Sequence, residues 1–129
     1  MIVDSSAIIA ILRAESDARR VATAIELSEV RKISAANYVE IGIVIDAERN
    51  PVASRRVDDV IAQARIQIVA VTEAHARIAR EAYRDFGKGS GHPARLNYGD
   101  CFAYALAKEA GEPLLFKGDD FSKTGIEAA

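Results

Sequence analysis

The sequence predicts an α/β fold, a sandwich of helices around a mainly parallel sheet, on three observations. Short aliphatic runs of strand length alternate with stretches of helical periodicity from one end of the chain to the other, the pattern of a parallel sheet covered on its faces. The 129 residues suit one domain, 1–129, and leave little room for a second core. Hydrophobic residues make up 50% and charged residues 28%, an ordinary globular balance that excludes disorder, collagen and a coiled rod.

Met1–Val3 is a short apolar strand ended by Asp4, after which Ser5, Ser6 and the run AIIAIL enter a buried helix. A second helix spans about Asp17 to Ser28, and Arg31 to Ala35 forms the second strand. Tyr38 to Glu48 then reads as a helix apolar on nearly every side. Pro51 opens another helix from the first helical position, with Val57, Val60, Ile61 and Ala64 at helical spacing. Gln67 to Val71 is a strand, followed by a long helix from Glu73 to Phe86. Residues 87–95, GKGSGHPAR, hold three glycines and a proline, which no helix tolerates, so they form a mobile loop. Asn97 caps a helix carrying Cys101, Phe102, Tyr104, Ala105 and Leu106 that ends near Gly111, and Pro113 to Lys117 is the last strand before GDDF.

The formal charge of −2 lacks the basic footprint of a protein that binds nucleic acid by electrostatics alone, so any such role needs a local patch or a bound cation. Aromatics are only 6% and Trp is absent, which argues against a row of stacking rings. One Cys cannot form an intrachain disulfide, the N-terminus lacks a basic leader, and no apolar run approaches a membrane span; the expectation is a soluble, cytoplasmic protein.

Three acids have apolar neighbours: Asp4 in MIVDSSAII, Glu40 in NYVEIGIVI and Asp100 in NYGDCFAYAL. An ionised carboxylate beside a core is costly unless paired, hydrogen-bonded or bound to a metal. Helix capping is one reason for them: Asn37 with Glu40 and Asn97 with Asp100 each resemble a cap followed at the third helical position by an acid, and Asp4 can cap the first helix. The other reason is a shared site, because Asp119 and Asp120 lie just past the last strand and ligands of open parallel sheets sit at the strands' carboxyl ends. Converging carboxylates repel one another unless a cation neutralises them. Oxygen ligands suit Mg²⁺ or Mn²⁺, and zinc is disfavoured because His75, His92 and Cys101 have no ligand spacing.

The segments MIVDSSA, NYVE, GSGHPARLNYGDCFAYALA and PLLFKGDDF, in this order, closely resemble a PIN-domain ribonuclease of the VapC toxin type, the toxic partner in bacterial VapBC toxin–antitoxin pairs. The resemblance covers nearly the whole chain. It implies a PIN-like three-layer α/β/α sandwich with a mainly parallel central sheet, and cleavage of RNA, commonly tRNA or rRNA, with Mg²⁺ or Mn²⁺. It makes Asp4, Glu40 and Asp100 the metal-binding acids, with Ser6 steadying the site, Asn97 supporting it, and Asp120 as the fourth acid with Asp119 beside it. Water would attack the phosphodiester to leave a 5′-phosphate and a 3′-hydroxyl. A VapB-like antitoxin and a homodimer are the implied partners, and a carboxylate cluster is a natural receptor for an arginine from another chain.

Arg84, Lys88, His92 and Arg95 make the glycine loop and its approach locally basic, either as RNA contacts or as a solvated loop. Cys101 is expected in the core, His75 on the surface, and Tyr38, Tyr98 and Tyr104 in the core. Lys117 is expected to reach a phosphate or face solvent. Rival readings fit less well. A haloacid-dehalogenase-like phosphatase needs an acid where Ser6 stands, and a response-regulator receiver domain needs a phosphoacceptor Asp at the end of the third strand, where IQIVAVTEAH has none. A catalytically inactive PIN binding module would not need every acidic position filled.

Overall fold

The computed structural model describes residues 1–129. The elements run β1 (Ile2–Val3), α1 (Ser5–Leu12), α2 (Ala18–Leu27), β2 (Arg31–Ser34), α3 (Ala35–Asp46), α4 (Pro51–Gln63), β3 (Ile66–Val69), α5 (Glu73–Phe86), α6 (Tyr98–Ala110) and β4 (Leu114–Leu115), with a 3₁₀ turn at Asp120–Lys123. The four strands form one sheet in the order β3-β2-β1-β4, and every pairing is parallel. No helix is long and apolar enough to cross a membrane.

Alternation along the strands builds three layers. Ile2 and Leu114 point into a core with residues of α5 and α6, such as Ala79, Cys101 and Leu106. Val3 and Leu115 point the other way, into a core with Ile33, Ile66 and residues of α1 to α4. Both faces of the central strands are therefore buried, which is why MIV and PLLF read as continuous apolar runs rather than as alternating ones. The expected α/β/α sandwich is the one observed.

β2 and β3 lie on one side of β1 and β4 on the other, so the strand order reverses between β1 and β4. Such a switch point leaves a crevice at the carboxyl ends of the two strands, because their connections leave in opposite directions. Asp4 ends β1, and Asp120 follows β4.

α5 and the Pro51 start of α4 agree with the sequence, and the structure adds Asn50 as the cap, its Oδ1 accepting from the amides of Val52 and Ala53. Helix α3 begins three residues earlier than its periodicity indicates, because Ser34 at the end of β2 is itself the cap and accepts from the Ala36 amide. Asn37 therefore sits in the first turn and caps nothing. The glycine loop forms between α5 and α6, and its stem is tied: the Lys88 amide donates to the Leu96 carbonyl at 2.8 Å and the Leu96 amide to the Phe86 carbonyl at 2.9 Å.

Two expectations about burial, His75 on the surface and Tyr98 in the core, are corrected. His75 is buried, because it completes a capping box with Thr72 and its Nε2 lies against Glu109 of the neighbouring α6. Tyr98 is 77% exposed, because the first residue of α6 emerges at the edge of its layer, whereas Tyr104, two turns on, is buried. Tyr38 is half-buried with its hydroxyl on Asp58, and Cys101 is in the core as expected.

Candidate active site

At the switch point the chain lines a pocket of about 210 Å³ with Asp4, Glu40, Asp100 and Asp120, joined by Ser5, Ser6, Asn97 and Lys117. Four distant acids thus meet in one place. Asp119 does not line the pocket; it is the residue before the 3₁₀ turn.

Asp4 caps α1 with one oxygen only: Oδ2 accepts from the Ser6 amide at 3.0 Å, while Oδ1 is buried and has no hydrogen-bond partner. Asp100 does the same on α6. Its Oδ2 accepts from the Asn97 amide at 2.9 Å, and the Asn97 side chain accepts from the Asp100 amide at 2.9 Å. Capping and site formation are therefore compatible, since each aspartate uses one oxygen for the helix and keeps the other for the pocket.

Glu40 is different, because the early start of α3 places it in the second turn, beyond any cap. The Ser5 hydroxyl donates to its Oε1, and Asn37 Nδ2 lies 3.3 Å from the same oxygen. Asn37 also donates to the Gly99 carbonyl at 2.9 Å, which ties α3 to the first turn of α6. Ser6 joins the two central strands' ends by accepting from the Lys117 amide at 3.0 Å. The Lys117 ammonium is paired with Glu15 while its side chain lines the pocket.

A family model for the PIN domain matches residues 1–127. Ribonuclease VapC28 of Mycobacterium tuberculosis is 57% identical over 129 residues, covering 100% of this chain and 97% of the relative. The chain belongs to the VapC ribonucleases. Solved structures agree with the PIN fold: Mycobacterium tuberculosis VapC20, described as a sarcin-ricin loop cleaving toxin, superimposes with a TM-score of 0.79 at 16% identity, covering 99% of this chain and 97% of that one. A toxin–antitoxin complex from Klebsiella pneumoniae gives a TM-score of 0.69 at 16% identity, covering 96% of this chain and 92% of that one.

The electrostatics of this VapC pocket follow from burial and crowding. Burial pushes the Asp4 carboxyl up to about 6, against the hydrogen bonds from Ser6, and the charge of Glu40 adds to the rise. Asp100 is pushed up to about 7, first by burial and then by Asp4, Asp120 and Glu40, while the Asn97 amide opposes the shift. The charge of Glu40 reaches both aspartates. The same burial raises the Cys101 thiol to about 11, with Asp100 contributing, so that neighbour is an inert core residue.

The four basic candidates do not line this VapC pocket. Arg84 pairs with Asp85, His92 packs edge-on against Phe86, Arg95 is exposed in the loop, and Lys88 lines the adjoining pocket.

Sequence reasoning missed Ser5 and Gly99. Ser5 carries no local signal, as its partner is 35 residues away. Gly99 does carry one: a glycine in a helical first turn costs about 1 kcal/mol relative to Ala and needs a reason. Here the reason is contact, since a Cβ on Gly99 would collide with the Glu40 carboxylate. Gly99→Ala is thus expected to fold, because a flexible side chain can swing aside, yet to displace the Glu40 carboxylate and lower RNA cleavage on the order of tenfold or more. Circular dichroism beside a cleavage assay checks both halves, and full activity would remove Gly99 from the site.

Proposed function

We propose that this VapC-family endoribonuclease hydrolyses RNA with a divalent cation, Mg²⁺ with Mn²⁺ able to replace it, held by Asp4, Asp100, Glu40 and Asp120. The observation that carries the reading is the pair of half-used aspartates: Asp4 Oδ1 is buried without a partner in a pocket lined by three further acids. Oxygen donors of this kind suit a hard cation. Mg²⁺ dehydrates reluctantly and is commonly bound by one or two carboxylates together with water, so four acids lining one pocket are enough to hold it.

Such a cation, when bound, supplies activation of the attacking water and offsets charge on the scissile phosphate. The chain's own residues do the rest. Asp4 and Asp100 are fixed by their helix caps, Ser5 and Asn37 aim Glu40, and Ser6 locks the end of β1 to the residue after Phe116. Water attack would leave a 5′-phosphate and a 3′-hydroxyl. The substrate class we propose is structured RNA, tRNA or rRNA, which the sarcin-ricin activity of the similarly folded VapC20 supports.

As a toxin the chain would be silenced by a VapB-like antitoxin whose arginine enters the acid pocket, and would act as a homodimer. The likeness to a toxin–antitoxin complex and the exposed apolar side chains Val39 and Ile43 on α3 and Val52 on α4 support a chain built to be covered. The test is RNA cleavage with and without chelator. EDTA is expected to abolish cleavage and Mn²⁺ to restore it, and undiminished activity in EDTA would contradict the mechanism.

A further inference from the structure

Beside the acid pocket, and sharing Asn97 with it, lies a larger, mostly apolar pocket of about 540 Å³ between α5 and α6. Tyr83, Tyr98 and Phe102 line it, together with Arg80 and Lys88. An aromatic-poor chain has gathered two of its four Tyr and one of its four Phe at one place.

The rings are held ready. Tyr98 and Phe102 meet edge to face with centroids 4.9 Å apart, and the Tyr83 hydroxyl donates to the Lys88 carbonyl at 3.0 Å. Gly87 lets the backbone pass close behind Tyr83, since a Cβ there would lie 2.7 Å from its ring. Beyond its edge contact with Phe102, Tyr98 is 77% exposed, leaving most of its ring open to solvent.

The cations are also distinctive. On the same helix Arg77 is paired with Glu73 and Arg84 with Asp85, whereas Arg80 and Lys88 form no ion pair. A polyanion brought to four carboxylates needs neutralising charge nearby, and stacking faces with free cations are the chemistry that binds an unpaired base and its phosphates. A second copy of this chain fits less well, because a two-fold contact centred on this pocket would bring both sets of unpaired cations together.

We propose that this pocket is a substrate subsite that seats an unpaired nucleobase flanking the cleaved phosphodiester, with Tyr98 stacking on the base and Arg80 and Lys88 on neighbouring phosphates. The inference rests on the ribonuclease reading and adds to it the residues that seat the RNA beside the scissile bond.

The test measures binding of a short labelled single-stranded RNA by fluorescence anisotropy, using Asp100→Asn as the non-cleaving parent, with mass in solution followed by light scattering. Tyr98→Ala is expected to weaken binding on the order of tenfold without changing the mass, while Tyr98→Phe binds as the parent does. The double variant Arg80→Gln/Lys88→Gln is expected to weaken binding and flatten its salt dependence. Unchanged affinity in Tyr98→Ala would overturn the proposal, and so would a fall in mass accompanying any loss of binding, which would assign the pocket to self-association. A parent that binds no single-stranded RNA while the wild type cleaves RNA would overturn the subsite alone. A wild type that cleaves no RNA with Mn²⁺ present would overturn the ribonuclease reading beneath it.

Discussion

Asp100→Asn is expected to lower RNA cleavage by about a hundredfold or more and, at the same time, to stabilise the metal-free chain. The two effects come from the two oxygens of one carboxylate. An asparagine keeps an acceptor for the Asn97 amide, so the capping box at the start of α6 survives. It removes the charge that Asp4, Asp120 and Glu40 oppose, which should raise stability by about 1–2 kcal/mol near neutral pH. A residue that served only as a cap would do the reverse, keeping activity and gaining nothing. Thermal melts beside a cleavage assay separate the two.

The second large effect is a dependence of metal-free stability on pH. Asp4 and Asp100 sit at about 6 and about 7 in the folded chain, against 3.8 for an unperturbed aspartate. The folded state thus binds these protons more tightly than the unfolded state, so their contribution is fully present below about pH 4 and is lost as pH rises through 6 and 7. For Asp4 alone the loss is on the order of 2–3 kcal/mol, a fall of several degrees in Tm. Glu112 acts in the opposite sense: its hydrogen bond from Lys32, reinforced by the N-terminal amino group, holds it below the usual carboxylate range, so its contribution disappears as pH falls through that range. Metal-free chain should therefore be most stable in mildly acidic solution, and Asp4→Asn should flatten the decline toward neutrality. Because ligands must shed their protons, Mn²⁺ should raise Tm more at about pH 8 than at about pH 5.5. A melting series across pH, with and without Mn²⁺, reads all three.

Local chemistry made much of this legible. MIVD announced an apolar strand and an acid at its end, Pro51 announced a helix start, and Asn97 with Asp100 spelled out the capping box that holds one of the site's acids. The acids themselves were conspicuous because an ionised group among Ile, Val and Ala needs a partner. What stayed hidden was set by contacts across the fold. Ser34 both ends a strand and caps a helix, so the start of α3 slipped by three residues and Asn37 looked like a cap instead of the strut between α3 and α6. His75 sits in a polar turn whose burial is decided by Glu109 on another helix. The clustering of Tyr83, Tyr98 and Phe102 depends on how α5 and α6 pack, which no periodicity within either helix records.

The account turns on whether the pocket between the ends of β1 and β4 holds a catalytic cation. The most direct measurement is titration of the metal-free chain with Mn²⁺ by calorimetry, run on the wild type and on Asp4→Asn, with RNA cleavage followed over the same Mn²⁺ concentrations. The wild type is expected to bind Mn²⁺ with cleavage rising along the binding curve, and Asp4→Asn to lose both together. Wild-type affinity in Asp4→Asn, or cleavage that proceeds before any Mn²⁺ is bound, would contradict it.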